Sequence, residues 1–297
     1  METGAPELSI QLRQLTYLVE VARSDNWTEA ADQLGISQPA LSQSMHELEK
    51  RFGVQLFEAV GRRRVLTVEG NQAVAYAREI LNTTEDLRTD LRATGSAMHG
   101  RLRVGMIDAA SLYVLPEAIR SFRLDHPEVE LELTVAPSTP LLDGLRALEL
   151  DIVFVTGPVA EPQLESQPVV EEPLFLYGPP DGDPATGDWV TYPATSRTRG
   201  SIDRFFADFR WSPHIILESA NPAVLAQMVG LGFGWSILPE AVGEAGPFQL
   251  EKRRVRPVAS RSLVAAWRQS ASQNPRIAAF REAALARSLS RRDGEGR

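Results

Sequence analysis

A polar face between residues 37 and 46 carries the side chains best suited to recognition chemistry. Gln38, Ser42 and His46 recur at four-residue steps, with Pro39 and Gln43 adjacent, so on an α-helix they share one side. Amide and hydroxyl groups near a helix N-terminus can hydrogen-bond base edges and phosphates in the major groove of DNA. The polar outside of an ordinary helical hairpin has the same pattern. The helical geometry alone leaves both interpretations open.

The residues around this face predict three short helices that would hold it in place. Leucines at three- and four-residue steps predict a first helix over residues 8–23. A second helix follows, with Thr28 as its expected N-cap, and it ends at the break that Gly35 supplies. Ser37 is the expected cap of a third helix that runs to about Phe52. The predicted buried arc of this third helix consists of Leu41, Met45, Leu48 and Phe52.

Positive charge is concentrated just beyond the third helix. The alternating segment there turns around Gly61, which predicts a two-stranded wing, and it carries Arg62, Arg63 and Arg64. A net charge of -8 for the chain argues against a nucleic-acid partner when taken alone. The position of the charge matters more than the total, and a merely solvated face is the other interpretation of this arginine run.

Signatures of catalysis are missing from the sequence. The chain has no cysteine, which excludes disulfides, thiolate catalysis and cysteine-bound zinc. Residues 230–236, GLGFGWS, are rich in glycine, but their spacing and the helix before them favour a helix-to-strand turn over a phosphate loop. We therefore expect no enzyme, no catalytic residue, no cofactor and no metal site. The four histidines are not spaced as metal ligands are; they are His46, His99, His126 and His214.

We expect no secretory signal, because the N-terminal residues METGAPELSIQLRQL lack a basic region followed by an apolar run, and the longest apolar runs of the sequence are too short to cross a bilayer. We therefore expect a cytoplasmic protein.

One long helix is predicted from about Val68 to Thr94, where glycine occurs only at Gly70 and proline is absent. An apolar seam at three- and four-residue steps suits pairing with a second copy of the chain. Packing of this helix on its own domain is the alternative. The seam consists of Ala73, Tyr76, Ala77, Ile80, Thr84, Leu87 and Leu91.

From residue 101 onward, strand and helix patterns alternate, which predicts an α/β fold with a largely parallel sheet. A break rich in proline and glycine near residue 180 suggests a crossover into a second lobe. The segment SLVAAWRQ is expected to return the chain to the first lobe, before a final helix.

Residues 12–70 resemble the winged helix-turn-helix of LysR-type transcriptional regulators. The matching elements are AADQL, the SQPALS run at 37–42, LE at 48–49, the FG-x-x-LF segment at 52–57 and LT-x-x-G at 66–70. The rest of the chain resembles the family's linker helix and its effector domain, which is related to periplasmic binding proteins, through LPEAIRSF, HPEVELEL, ELDIVF and MVGLGFGWSILP.

The resemblance implies three domains and a fold class. A winged helix-turn-helix would occupy residues 1–67, a dimerising linker helix residues 68–95, and a two-lobed α/β effector domain residues 101–297. Within the effector domain, the first lobe would comprise about 101–178 and 270–290, and the second lobe about 179–269. No catalytic role and no cofactor is implied.

The resemblance also implies which residues approach DNA. Those of the third helix are Ser37, Gln38, Pro39, Ser42, Gln43 and His46, and those holding phosphates at the wing are Arg62, Arg63, Arg64 and Thr67. Three positions that are often arginine in the family are Gln43, His46 and Ala59 here. Each lost phosphate contact flattens the salt dependence of binding, so the wing arginines are expected to carry more of the affinity.

An effector site is implied between the two lobes. Its expected residues are Asp108, Ala109, Ser138, Thr139, Ser196, Arg197, Asn221 and Phe233, with Arg199 close in sequence. Asp108 and Ala109 stand where the family commonly has a serine or threonine for an anionic ligand. A carboxylate facing an arginine would suit an amphoteric or partly cationic ligand. Asp108 as a helix cap or an ion-pair partner is the alternative.

The sequence thus predicts a DNA-binding regulator that senses a small molecule and forms a homodimer through the linker helix, and a homotetramer through its effector domains. Double-stranded operator DNA, the effector and RNA polymerase are its expected partners. A binding module with lost or secondary DNA binding is the competing class. An enzyme on the two-lobed scaffold is the third, and nothing in the sequence nominates its residues.

Overall fold

The computed structural model describes residues 10–60, 63–92, 98–245 and 249–294. Two compact units divide the chain, residues 1–95 and residues 96–297. Across the described ranges, no helix is both long and apolar enough to span a membrane.

The first unit is a winged helix-turn-helix. Helices α1 (Leu12–Arg23), α2 (Trp27–Leu34) and α3 (Gln38–Phe52) precede the antiparallel strands β1 (Phe57–Val60) and β2 (Arg63–Leu66). The predicted third helix is confirmed at both ends, with Ser37 as its N-cap. The expected turn at Gly61 and Arg62 lies outside the described residues.

The cap of α2 differs from the prediction. Asn26, not Thr28, is the N-cap, because its Oδ1 accepts hydrogen bonds from the backbone amides of Thr28 at 3.1 Å and Glu29 at 3.0 Å. Trp27 is already helical, so the helix begins one residue before Thr28, the N-cap that the sequence suggested. An asparagine with extended backbone satisfies two of the amides that a helix start leaves unpaired.

The core of this unit forms where α3 crosses its neighbours. Leu41, Met45 and Leu48 are fully buried, as predicted, and they lie in one cluster with Ala30 and Ala31 of α2. Phe52, the fourth member of the predicted arc, is instead 37% exposed in the last turn of α3. The small alanines let α2 and α3 approach closely.

Helix α4 (Val68–Arg92) presents two apolar faces. Val74 and Ala77 are buried in the core of the first unit, whereas Tyr76, Ile80 and Leu87 are about half exposed. The residues of the predicted seam therefore fall into two groups. Ala77 packs on its own unit, whereas the large side chains of Tyr76, Ile80 and Leu87 face solvent. The side chain of Leu91 lies outside the described residues.

The second unit is built on a six-stranded sheet with the order β4-β3-β5-β10-β6-β9. Its strands are β3 (Gly100–Met106), β4 (Val129–Val135), β5 (Ile152–Thr156), β6 (Leu164–Tyr177), β9 (Ser236–Pro239) and β10 (Ala259–Arg268). The expectation of a largely parallel sheet is wrong. Strands β4, β3 and β5 pair in parallel, but β10 enters antiparallel to both β5 and β6 because it returns from the second lobe.

Helices cover this sheet, and a small parallel pair of strands extends the second lobe. The helices are α5 (Pro116–Asp125), α6 (Ser138–Arg146), α7 (Arg197–Phe209), α8 (Pro222–Gly230), α9 (Glu240–Ala245) and α10 (Pro275–Gly294), and a π-helical turn occupies Ala110–Val114. The pair is β7 (Asp188–Thr191) with β8 (His214–Glu218). The helix-to-strand turn predicted at residues 230–236 is confirmed, since α8 ends at Gly230 and β9 begins at Ser236.

Two separate hydrophobic cores define the lobes. The first contains Leu102, Phe154 and Phe280, and the second contains Trp189, Phe206 and Ile237. Strands β6 and β10 contribute side chains to both cores. In β10, Leu263 to Trp267 belong to the first core. The structure therefore places most of β10 in the first lobe, so the second lobe ends before residue 263 and not near residue 269. This agrees with the prediction that the segment SLVAAWRQ returns the chain to the first lobe.

Candidate functional site

The outer face of α3 presents uncharged polar groups to solvent. Gln38, Pro39, Gln43 and His46 are exposed, and Ser42 is half-buried, directly above the buried leucines of the same helix. Gln43 donates from Nε2 to Glu47 Oε1 at 3.3 Å, and His46 Nδ1 lies 3.8 Å from Glu49 Oε2. The five expected residues of this face thus lie together, with the glutamates contributing negative charge beside them.

Ser37 and Glu49 fix the two ends of this helix. The Ser37 hydroxyl oxygen accepts a hydrogen bond from the Ala40 amide at 3.4 Å, which orders the first turn. One Glu49 oxygen accepts the amides of Leu56 at 2.9 Å and Phe57 at 3.1 Å, so α3 holds the start of the wing. The glutamate of the LE pair therefore has a structural task.

The wing is anchored by aromatic and hydroxyl contacts. The guanidinium of Arg64 lies 5.3 Å from the centre of the Trp27 ring, and that ring meets Phe57 edge-on at 4.8 Å. The Thr67 hydroxyl donates to the Gln55 carbonyl at 2.8 Å and accepts the Gly70 amide at 2.9 Å. Thr67 thus caps α4 with the hydroxyl that was expected to hold a phosphate. Arg62 and the side chain of Arg63 lie outside the described residues.

Gly70 is required by close packing against the wing. A Cβ atom at this position would lie 2.1 Å from the Leu56 carbonyl oxygen. The glycine of the LT-x-x-G segment therefore allows α4 to pack closely against the segment that enters β1.

A second polar site is a cleft in the second unit. It opens where β3 and β5 end and where α6, α7 and α8 begin, between residues of both cores. In open α/β folds, ligands bind outside the carboxyl ends of parallel strands.

The cleft brings together five of the eight residues expected at an effector site: Asp108, Ala109, Ser138, Ser196 and Arg197. The other three are not part of its lining. Thr139 is exposed, Asn221 accepts the Ala223 amide at 2.9 Å as the cap of α8, and Phe233 is 55% exposed in the turn before β9.

The sequence did not predict the other ten of the fifteen lining residues, among them Thr156, Tyr192, Thr198 and Arg261. Arg261 is 5% exposed, and its Nε donates to Glu172 Oε2 at 2.8 Å while Nη1 donates to Thr198 Oγ1 at 3.0 Å. Its guanidinium interacts with the nearby Tyr192 hydroxyl, but neither Nη2 nor that hydroxyl makes a hydrogen bond of normal geometry among the described residues. Burial raises the pKa of Tyr192 to about 12, so the phenol stays protonated at neutral pH.

Charges of both signs line the cleft. The Asp108 carboxylate has no hydrogen bond or ion pair within the described ranges, so the structure shows it neither as a cap nor as an ion-pair partner. Arg197 donates from Nη1 to the Pro158 carbonyl at 2.6 Å, which joins α7 to the segment after β5. Arg199 instead points into the second lobe, where Asp203 and Glu218 pair with it and the Tyr192 carbonyl accepts its Nη1.

Among the described residues, no group of three or more histidine, aspartate or glutamate side chains is placed to hold a metal ion. The chain instead has an exposed polar helix in its winged unit and a polar cleft between the two lobes of its second unit. This combination defines a ligand-responsive DNA-binding protein.

Comparison with known proteins gives the family. Residues 12–71 match the model of the bacterial regulatory helix-turn-helix protein, lysR family, and residues 95–288 match the LysR substrate binding domain. The chain belongs to the LysR family of transcriptional regulators. It is a DNA-binding transcriptional regulator with an effector-binding domain.

Individual relatives match over most of the chain. The uncharacterized HTH-type transcriptional regulator YfeR of Shigella flexneri is 30% identical, covering 89% of this chain and 90% of its own. The hca operon transcriptional activator HcaR of Escherichia coli (strain K12) is also 30% identical, covering 88% and 92%.

Solved structures share the fold. Full-length CbnR complexed with its target DNA has a TM-score of 0.65 at 24% identity, covering 94% of this chain and all of that one. Full-length OxyR of Pseudomonas aeruginosa has a TM-score of 0.68 at 24% identity, covering 93% and 97%.

Proposed function

We propose that the chain reads its operator by placing the N-terminal half of α3 in the major groove of DNA. The observation that carries this proposal is the row of polar groups above a buried core, formed by the exposed amides of Gln38 and Gln43 and the half-buried hydroxyl of Ser42. Amides can pair bidentately with adenine edges, and the first-turn amides of the helix favour a phosphate. A gel shift on the promoter region of its own gene, at two salt concentrations, tests the proposal. Binding that does not distinguish this region from unrelated DNA would contradict it.

Phosphate contacts are assigned to the wing. Arg62, Arg63 and Arg64 supply positive charge, while Gln43, His46 and Ala59 replace arginines that are common in the family. Arg63→Ala is expected to lower the slope of log affinity against log salt by about 0.9, the value for one phosphate contact. Arg120→Ala, on α5 of the other unit, is the matched control. An unchanged slope for the Arg63 variant would remove the wing from the contact.

The effector is assigned to the cleft of the second unit. The cleft joins residues of both cores, so a bound molecule can favour one arrangement of the lobes and thereby alter the spacing or bending of DNA. A small molecule that raises the Tm of the full-length protein should also change its operator affinity. A molecule that raises the Tm with no change in operator affinity would argue against this regulatory role.

The exposed stripe of α4 is assigned to subunit pairing. Tyr76, Ile80 and Leu87 are apolar, about half exposed and spaced for a helix seam, which suits a homodimer and, through the effector domains, a homotetramer. Leu87→Glu is expected to lower the mass in sedimentation velocity, with Arg120→Ala again as control. An unchanged mass would exclude this seam. We further assign RNA polymerase as the partner in transcription and the cytoplasm as the place of action.

A further inference from the structure

The floor of the cleft contains donors that the protein leaves unused. Arg261 uses two of its three nitrogen atoms on Glu172 and Thr198. The guanidinium also interacts with the Tyr192 hydroxyl, but neither Nη2 nor that hydroxyl makes a hydrogen bond of normal geometry among the described residues. Buried polar groups are nearly always hydrogen-bonded, because an unmade bond in the interior is costly. An acceptor with several lone pairs, such as a carboxylate, can satisfy both donors at once.

Other groups around the cleft also favour an anionic group. The lining residues Pro137 and Ser138 stand at the N-terminus of α6, and Ser196 to Thr198 stand at that of α7. Neither helix has a side-chain cap, so first-turn amides remain for an anion.

The charge balance argues against a ligand that is only an anion. Glu172 already neutralises Arg261, and the remaining charged lining groups, Asp108 and Arg197, cancel each other. Asp108 follows β3 on the side of the first core, where its unpaired carboxylate can accept a positively charged donor. A ligand with separated charges and no net charge fits these groups best.

The floor also lies where the lobes join. Arg261 and Glu172 are direct partners in the β10–β6 ladder, on the strands that pass from one core to the other. A ligand held by Asp108 from the first core and by Tyr192 from the second would couple both lobes to its presence.

We propose that the cleft binds a small zwitterion of the amino-acid class, with its carboxylate on Arg261 and Tyr192 and its ammonium group on Asp108. This inference rests on the proposed function only in taking the cleft as the effector site.

The test measures binding to the full-length protein by calorimetry and by thermal shift. The probes are glycine, L-alanine, β-alanine and γ-aminobutyrate, each compared with the carboxylate and the amine that lack one of its charged groups. At least one amino acid is expected to bind tenfold or more tightly than both of its partial analogues. If no amino acid binds, or if a plain carboxylate binds as tightly, the proposal is overturned.

Three variants assign the charged ends. Tyr192→Phe removes a buried unpaired hydroxyl, so the Tm of the free protein should hold or rise while amino-acid affinity falls about tenfold. Asp108→Asn should abolish the preference for amino acid over carboxylate, and Thr139→Ala, just outside the cleft, should change neither quantity. If Tyr192→Phe leaves affinity unchanged, its hydroxyl meets water only, and the assignment of the carboxylate fails.

A gel shift separates this inference from the proposed function. Normal operator binding without amino-acid binding would reject the zwitterion and retain the DNA-binding role. Amino-acid binding that leaves operator affinity unchanged would retain the zwitterion and reject the cleft as the regulatory site.

Discussion

The face of α3 assigned to DNA comes from ten consecutive residues and lies in solvent, whereas the cleft draws its lining from positions between 107 and 261, several of them buried. On α3, a local helix pattern both buries Leu41 and exposes Gln38. In the cleft, Arg261 meets Thr198 through the fold of a whole unit. Substitutions on the exposed face of α3 should therefore change binding without changing stability, whereas substitution of a buried charged residue of the cleft such as Arg261 should change both.

The largest expected effect is on the buried ion pair. Arg261→Met leaves Glu172 buried without its partner and should lower the free energy of unfolding of the second unit by about 3–5 kcal/mol. Urea denaturation followed by tryptophan fluorescence measures the loss. Arg120→Ala, which breaks an exposed pair with Glu117, is the control and should cost less than about 1 kcal/mol. Equal effects would erase the distinction between buried and exposed charges.

The second-largest expected effect is a loss of stability of the second unit at alkaline pH. Burial raises the pKa values of Tyr177 and Tyr192 to about 12, above the value near 10 of an unfolded chain. Their stabilisation is complete below pH 10 and is lost as the pH rises from 10 to 12, by about 2–3 kcal/mol for Tyr192 and by less for Tyr177. Unfolding measured at roughly pH 8.5, below that window, and at roughly pH 11.5, near its upper end, gives most of the loss. Tyr192→Phe should make it smaller; an identical loss in the variant would contradict the assignment.

The exposed amides should show the opposite behaviour. Gln38→Ala is expected to weaken operator binding by about 1–3 kcal/mol, the usual value of a bidentate base contact, with no change in Tm. Gln163→Ala, an equally exposed amide in the second unit, is the control. A fall in Tm with unchanged DNA affinity would assign Gln38 to structure instead of recognition.

The smallest effect concerns the cap of α2. Asn26→Ala removes two hydrogen bonds to backbone amides and should lower the stability of the first unit by about 1 kcal/mol. Thr28→Ala, at the position that the sequence suggested, should cost less, because the Thr28 side chain caps nothing. Thermal unfolding of the two variants settles the order, and a greater loss for Thr28 would reverse the assignment.

The same contrast explains what the sequence could predict. The limits of α3 and the burial of Leu41, Met45 and Leu48 follow from periodicity and a nearby cap, so they were predictable. The cap at Asn26 was missed because Asn26 and Thr28, on either side of Trp27, both have capping chemistry and only backbone geometry distinguishes them.

Long-range pairing set the limit for the cleft. Asp108, Ser138 and Ser196 follow strands or begin helices, so local patterns nominated them. Arg261 and Tyr192 gave no such signal, because their proximity depends on the register of β10 against β6 and on the packing of the second core. The sheet was expected to be largely parallel for the same reason: no local pattern gives the direction of β10.

The place of β10 also has a consequence for synthesis on the ribosome. Strands β5 and β6 are neighbours in sequence, yet residues 259–268 lie between them in the sheet. Until these late residues leave the ribosome, the nascent chain holds two apolar strands with unpaired edges, and such edges invite association with other chains. The effector unit can close its sheet only after β10 has been made, so chaperone demand should be greatest just before this strand leaves the ribosome.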